Sequence, residues 1–150
     1  GLITTTDGNS INYDYIEKQL LQDCTDFDVK MIAYDRYNST HLIQKLTESE
    51  CTEMIPFNQT TTWFNAPIKE LELLAHQGRL NHANNKVLNW HCSNVVIIKD
   101  SSGNIKFDKD KSIEKIDGMV SLAMAMGVCL KDIEEKPEES IYNTRGLLEL

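Results

Sequence analysis

The spacing of apolar residues divides the chain into alternating helices and strands. Residues 28–35 form a short, largely apolar run with turn-forming residues on both sides, which is typical of a strand buried on both faces. Residues 51–57 predict a second strand, and Asn38-Ser39 are placed to cap a helix that runs to about Leu46. The order strand, helix, strand predicts a right-handed crossover unit with the first strand at the centre of the sheet. The fold class is therefore predicted to be α/β.

Three further helices are predicted around this unit. Apolar positions 13, 16, 20 and 21 predict a helix near the start of the sequence. Asn65-Ala66-Pro67 combines a capping residue with a proline suited to the first turn, so an amphipathic helix is expected to begin there and to stop at Gly78. Residues 85–94, which include Trp90, predict a short helix.

The last third of the sequence predicts a β-hairpin followed by a long helix. Residues 95–98 and 105–107 flank a turn-rich segment, which favours two antiparallel strands. Ser112 is expected to open the helix, whose apolar stripe would hold Ile113, Ile116, Val120, Ala123 and Gly127. The chain becomes acidic beyond Leu130, so we expect a folded domain over 1–130 and a solvated acidic tail over 131–150.

Composition favours one ordinary globular core, and the charge is unevenly distributed. The 150 residues are 41% hydrophobic and 25% charged, with a net charge of -8 that on its face argues against nucleic acid. Residues 1–56 carry -6, whereas 57–98 carry +1 and 99–127 carry zero, so any DNA contact is expected in the middle of the chain. No apolar run is long enough to cross a bilayer and the start does not resemble a signal peptide, so nothing directs the chain out of the cytoplasm.

Two aspartates are candidates for metal chemistry. Asp35 ends an apolar strand, and ligands bind at the carboxyl ends of strands in α/β sheets, although an Asp there can also simply start a loop. Asp117 is predicted in the second turn of the last helix at the border of its apolar stripe, where it would be partly desolvated unless paired or metal-bound. The alternative for Asp117 is a favourable charge near a helix N-terminus. Together the pair fits Mg²⁺ or Mn²⁺, and two such ions about 4 Å apart can cleave a phosphodiester.

Other side chains carry weaker signals. Lysines 106, 109, 111 and 115 precede Asp117 and can contact phosphates, but interleaved acids favour an ordinary solvated surface. The aromatic residues Trp63, Phe64 and Trp90 are more typical of core packing than of base stacking. His82 and His91-Cys92 match no zinc spacing, and the cysteines at 24, 51, 92 and 129 form no CxxC pair, so reduced, partly buried thiols are expected. No phosphate-cradling loop is present, which excludes nucleotide hydrolysis by this segment.

The order of several segments points to a known family. The segments include Thr6-Asp7-Gly8-Asn9, Ile32-Ala33-Tyr34-Asp35-Arg36-Tyr37, Phe64-Asn65-Ala66-Pro67-Ile68-Lys69-Glu70-Leu71-Glu72, Asn84-Asn85-Lys86-Val87-Leu88-Asn89-Trp90, and Lys109-Asp110-Lys111-Ser112 leading into Glu114-Lys115-Ile116-Asp117-Gly118-Met119-Val120. In this order, and over nearly the whole chain, they resemble the C-terminal part of tailed-phage terminase large subunits.

This resemblance implies a nuclease domain of RNase H-like fold, with a mixed sheet flanked by helices and a β-hairpin before the last helix. Asp35 matches the family's acid at the end of an inner strand, and Asp117 matches the acid in the closing helix. In the family these acids hold divalent ions that cleave double-stranded DNA during packaging, so Mg²⁺ or Mn²⁺, as two ions, is the implied cofactor. Lys109, Lys111 and Lys115 would then be the DNA-binding residues. The implied partners are double-stranded DNA, the phage portal and the terminase small subunit, in the host cytoplasm and without a membrane.

Two features of the family do not match this sequence. Its members carry an N-terminal ATPase motor, and their nuclease has a further acid on an upstream first strand that neither Asp7 nor Asp14 matches. The chain is therefore expected to be an N-terminally incomplete nuclease domain. Two functions remain open: a metal-dependent endonuclease, and a catalytically silent docking or DNA-binding module of the packaging motor. Another RNase H-like nuclease, such as a resolvase, ranks third.

Overall fold

A computed structural model describes residues 2–8, 12–37, 40–49 and 51–135. In chain order, its elements within those residues are α1 (Tyr13–Asp26), β1 (Met31–Tyr34), α2 (Thr40–Glu48), β2 (Glu53–Pro56), α3 (Thr61–His76), α4 (Lys86–Asn94), β3 (Ile97–Lys99), β4 (Ile105–Phe107) and α5 (Asp117–Glu135). The predicted α/β class is confirmed. None of the helices in these ranges combines the length and the apolar character that crossing a bilayer requires.

In the part of the chain that the structure describes, the strands form two small sheets instead of the single mixed sheet expected. β1 and β2 pair in parallel, with Ala33 opposite Ile55. β3 and β4 form the predicted antiparallel hairpin, with Ile98 opposite Lys106. Within the described residues β1 has β2 as its strand neighbour, so its predicted central position does not appear there. The two sheets are joined through helices, because α3 contacts β4 while α5 contacts both α3 and β1.

The hydrophobic core lies where α3 and α5 pack between the sheets. Its buried members are Phe57, Phe64, Ile68, Leu71, Phe107, Ile116, Val120, Ala123, Met124 and Val128. Gly127 allows α5 to approach closely, since a Cβ there would lie 2.5 Å from Phe57 Cε2 and 3.0 Å from Pro67 Cγ. The predicted inward stripe is confirmed at Val120 and Ala123 of α5 and at Ile116, the residue directly before the helix.

The predicted start of α3 at Asn65 is wrong. The helix begins at Thr61, and the Thr60 hydroxyl accepts from the Trp63 amide at 3.4 Å. Asn65 instead accepts from the Ile105 amide at 3.3 Å and so ties α3 to β4. Pro67 is buried inside the helix, where the lost backbone hydrogen bond is offset by its packing beneath Gly127. The end of α3 agrees with the prediction, because Gly78 follows it with a φ of 65°.

The predicted start of α5 at Ser112 is also wrong, since the helix begins at Asp117. The Ser112 hydroxyl donates to the Asp108 carbonyl at 2.6 Å and accepts from the Val96 amide at 3.3 Å, which fastens the preceding loop to the hairpin. Ile113 is 81% exposed and does not belong to the apolar stripe. At its other end α5 continues to Glu135, past the boundary expected at 130. Residues 136–150 of the predicted tail, and the predicted cap at Asn38-Ser39, lie outside the described residues.

The predicted first helix, α1, contacts α2 and contains no buried residue. Lys45 on α2 lies 2.7 Å from Glu17 Oε2 and 3.1 Å from Asp14 Oδ1. The Cys24 and Cys51 sulfurs are 3.2 Å apart, although 27 residues separate them in sequence. Loss of solvent and the Cys51 hydrogen bond raise the pKa of Cys24 to about 11. Both thiols are half-buried as predicted, whereas Cys92 and Cys129 are exposed.

Candidate active site

Asp35 lies directly beyond β1, at the carboxyl end of the parallel strand pair. Its Oδ1 accepts from the Tyr37 amide at 3.1 Å, and its Oδ2 accepts from Gln59 Nε2 at 2.6 Å. Gln59 lies beyond the end of β2, so side chains from the ends of neighbouring parallel strands meet as they do in ligand-binding α/β sheets. The half-buried Asp35 carboxylate is thus held by bonds to both of its oxygens.

Asp117 is the first residue of α5, and its carboxylate is mostly exposed. Its side chain retains 63% of its accessible surface, so the predicted partial desolvation is wrong. Lys109 Nζ lies 3.1 Å from Asp117 Oδ1. The first-turn position is electrostatically favourable because a helix N-terminus carries partial positive charge.

A recess of about 140 Å³ lies beside residues that are bonded to the two aspartates, although neither aspartate lines it. Its lining comprises Gln59, Phe64, Lys106, Phe107, Asp108, Lys109, Asp110 and Val120. Gln59 is bonded to Asp35, and Lys109 is bonded to Asp117. The two carboxylates are therefore linked to one recess through one intervening side chain each.

The three lysines predicted to contact DNA surround Asp117, but two of them are paired with acids. Lys109 is held by Asp117, and Lys111 Nζ lies 3.6 Å from Asp108 Oδ2 with a 69% exposed side chain. Lys115 is exposed. A second recess of about 280 Å³, lined by Lys109, Ser112, Ile113, Glu114, Lys115, Ile116 and Asp117, lies beside the carboxylate. The surface here is close to neutral and presents exposed cations next to Asp117.

The donors suit a hard divalent cation in kind, but their number is small. Asp35 and Asp117 offer the carboxylate oxygens that Mg²⁺ and Mn²⁺ prefer. In the described ranges, no group of three His, Cys, Asp or Glu side chains is arranged to hold an ion. Two carboxylates can serve one ion whose remaining positions are taken by water or substrate, whereas a second ion needs further oxygen ligands.

Several contacts at this site had no signal in the sequence. His91 Nδ1 accepts from the Gly118 amide at 3.1 Å, and Asn94 Nδ2 donates to the Lys115 carbonyl at 3.3 Å. These pairs are 27 and 21 residues apart, so no local spacing predicts them. Gln59 was within reach of prediction, because it follows β2 as Asp35 follows β1.

The aromatic residues divide between the core and the surface. Phe64 is 2% exposed, and Trp63 packs against the core, as predicted. Lys131 Nζ lies 3.5 Å from the centre of the Trp63 ring, within range of a cation–π interaction. Trp90 is 45% exposed, so core packing is the wrong prediction for it.

Comparisons with known proteins agree on one family. The family described as "Terminase large subunit, endonuclease domain" matches residues 1–132. The terminase large subunit of Enterobacteria phage HK97 is 30% identical over 137 residues, which are 91% of this chain and 27% of that protein. Protein YmfN of Escherichia coli strain K12 is 31% identical over 129 residues, or 85% of this chain and 28% of that protein.

A solved structure is similar as well. The crystal structure of the HK97 bacteriophage large terminase has a TM-score of 0.77 at 30% sequence identity, covering 85% of this chain and 27% of that chain. The chain thus spans about a quarter of the length of the relatives it matches.

Proposed function

Because this chain belongs to the endonuclease-domain family of terminase large subunits, we propose that it cleaves double-stranded DNA during phage genome packaging. The observation that carries the proposal is that one recess is lined both by Gln59, which is bonded to Asp35, and by Lys109, which is bonded to Asp117. The proposed fold is RNase H-like, which is supported by the acid at the end of β1, the acid on the closing helix and the similarity to the HK97 enzyme.

Mg²⁺ or Mn²⁺ is the proposed cofactor, with Asp35 and Asp117 as its protein ligands. When bound, divalent ions would offset phosphodiester charge and ease ionisation of the attacking water. Gln59 keeps the Asp35 carboxylate oriented through Oδ2. A two-ion mechanism requires oxygen ligands in addition to these two carboxylates.

The lysines have a proposed role in binding the DNA backbone. Lys109 neutralises Asp117 through a half-exposed ion pair, and such pairs are weak enough to rearrange. When DNA and a metal ion bind, Lys109 would turn from Asp117 to a phosphate oxygen. Lys111 and Lys115 would make further phosphate contacts, which position the duplex without reading its bases. The portal and the small subunit remain the proposed protein partners.

Plasmid cleavage by the 150-residue chain tests the nuclease. Nicking is expected with Mg²⁺ or Mn²⁺ and not with EDTA, and Asp35→Asn and Asp117→Asn are each expected to lower its rate at least a hundredfold. Asp26→Asn, at an exposed carboxylate of α1, is the matched control and is expected to cut like the unmodified chain. A folded chain that cuts equally well with Asp117→Asn would refute the assignment of Asp117.

The docking module is the second candidate. One observation favours it: within the described residues no group of three His, Cys, Asp or Glu side chains is arranged to hold an ion, and the Asp117 carboxylate is already paired with Lys109. DNA binding that weakens with salt but is indifferent to Mg²⁺ and EDTA, from a folded chain that does not cut, would support this function and overturn cleavage.

A further inference from the structure

Helix α4 is fastened to the chain on both sides of Asp117. The Asn94 side chain donates to the carbonyl of Lys115, two residues before the aspartate. The His91 ring accepts from the amide of Gly118, one residue after it. We propose that His91 and Asn94 are positioning residues for cleavage, which hold the backbone at Asp117 where its carboxylate can act. This inference rests on the proposed nuclease function.

The His91 contact satisfies a donor that the helix itself leaves open. The first amides of an α-helix have no partner within the helix. In α5, the Met119 and Val120 amides both reach the Ile116 carbonyl, whereas the Gly118 amide reaches His91 Nδ1. His91 therefore caps α5 from a different helix. Because Nδ1 is the acceptor, a neutral ring must carry its proton on Nε2.

The Asn94 contact is buried. Asn94 is 7% exposed, and within the described ranges it is the one polar or charged residue that is buried. A buried amide that loses its partner is costly, so the bond to Lys115 strongly favours one position of the loop. The two contacts together fix the backbone at residues 115 and 118, with Asp117 between them.

Close packing makes the arrangement specific. A Cβ at Gly118 would lie 2.5 Å from His91 Nδ1 and 3.4 Å from Leu88 Cδ1. The imidazole thus lies directly against the backbone of the first turn of α5, and a larger residue at 118 would displace it.

Asp117 depends on such backbone contacts because its own side chain is little constrained. The carboxylate is 63% exposed, and its ion pair with Lys109 is of the kind that contributes little in solvent. A metal ligand must nevertheless be held to within about 0.5 Å of its working position. Gly118 and Lys115 supply that constraint through α4.

The test compares two substitutions of nearly equal size. In His91→Asn the side-chain Oδ1 can take the place of Nδ1 as acceptor, whereas His91→Leu offers no acceptor. With Mg²⁺ or Mn²⁺, His91→Leu is expected to lower kcat for plasmid nicking about 10- to 100-fold, the range seen when outer partners of metal ligands are removed. Its KM for DNA should stay within about twofold, and His91→Asn should retain most of the activity.

A second readout reports the contact without relying on activity. In ¹⁵N NMR, hydrogen exchange at the Gly118 amide should be slow in the unmodified chain and in His91→Asn, and faster in His91→Leu. If His91→Leu does not fold, His91→Gln takes its place. The side-chain oxygen of glutamine lies one bond further out than His91 Nδ1, so this variant should show neither slow exchange at the Gly118 amide nor the parent's kcat. Equal kcat in the paired variants of an active chain, or unchanged Gly118 protection, would overturn the proposal.

The two readouts keep the hypotheses apart. An unmodified chain that cuts with neither ion refutes the nuclease and with it any role of α4 in cleavage. Loss of Gly118 protection in the same experiment would show that the structural contact exists even so. Full activity together with unequal protection would refute the positioning role alone.

Discussion

The two candidate ligands are held in different ways at the residue scale. Asp35 uses both carboxylate oxygens, one on a backbone amide and one on Gln59. Asp117 has a lysine partner and is oriented mainly through its neighbours in the chain. Substitutions around Asp117 should therefore affect the backbone more than the carboxylate itself.

Gly118→Ala should destabilise the protein although alanine is the better helix former. The new Cβ would meet His91 Nδ1 at 2.5 Å, and such crowding costs about 1–3 kcal/mol, against about 1 kcal/mol gained from helix propensity. Urea unfolding measures the free energy. Ser121→Ala, at an exposed position on the same helix, is the control and should change stability little. A Gly118→Ala variant more stable than the parent would show that His91 does not lie against this turn.

Asp100→Asn should make stability less dependent on pH. Hydrogen bonds from Thr61 and Asn104 hold the pKa of the Asp100 carboxyl below its usual value of 3.8. Because the pKa is lower in the folded state, the charged carboxylate stabilises the fold when the pH is above the usual pKa of 3.8. This stabilisation is lost as the pH falls below 3.8 and through the lowered pKa of the folded state. The parent should therefore be more stable than Asp100→Asn at pH 6, and the difference should shrink towards pH 3. Denaturant titrations at a series of pH values would measure it, and a constant difference would contradict the assignment.

At the scale of elements, the periodicity of the sequence predicts faces better than ends. The inward face of α5 follows from the spacing of Val120 and Ala123 with Ile116, which directly precedes the helix. Its start does not, because Ser112 has the chemistry of a cap but is used by Asp108 and Val96. Asn65 is likewise taken by β4. Tertiary contacts decide which of several suitable polar residues begins a helix.

The same distinction applies to the candidate site. The position of Asp35 is predictable because the residue that follows an apolar strand lies at the carboxyl edge of the sheet, while its role as a metal ligand stays a prediction. The link from His91 to Gly118 is not, since it joins two helices through a side chain that has no local motif. The position of a residue within one strand or helix can be predicted from sequence. A hydrogen bond between two helices that are distant in sequence requires the structure.

Helix α1 should be the least stable of the helices compared by hydrogen exchange. It contains no buried residue and is held by Lys45 and the contact between Cys24 and Cys51. Its amides should exchange faster than those of α3 and α5, and Lys45→Met should speed them a further two- to fivefold while leaving α5 unchanged. Lys18→Met, at an exposed position on α1, serves as the control. Equal exchange in α1 and α5 would contradict this view of its packing.

On the scale of the whole molecule, the pair of half-buried thiols offers a way to fasten α1. A disulfide such as oxidised glutathione can oxidise Cys24 and Cys51 to an internal disulfide, and is itself reduced to two thiols. The link should raise Tm by roughly 5–10 °C because it restricts the unfolded chain. In a Cys92→Ser, Cys129→Ser background, mass spectrometry would detect the disulfide and thermal melting would measure the rise in Tm. The same background with Cys24→Ser added is the control.

The reaction of these thiols should be slow at neutral pH. The pKa of Cys24, about 11, leaves little of the reactive thiolate, so its alkylation should accelerate as pH rises. A Cys24 that reacts as fast as the exposed Cys92 and Cys129 at pH 7 would indicate that the pair is not formed.

The close packing at Gly127 divides α5 into a long segment towards Asp117 and a short segment towards Lys131. Gly127 rests on Phe57 and Pro67, Lys131 lies against the Trp63 ring, and Asp117 is at the opposite end of the helix. At 1.5 Å per residue, the segment from Gly127 to Asp117 is about 15 Å long and the segment to Lys131 about 6 Å. A tilt of the rigid helix about Gly127 would move Asp117 roughly two and a half times as far as Lys131. A small displacement of α5 near Trp63 would thus become a larger displacement of the Asp117 carboxylate, which the contacts from α4 would resist.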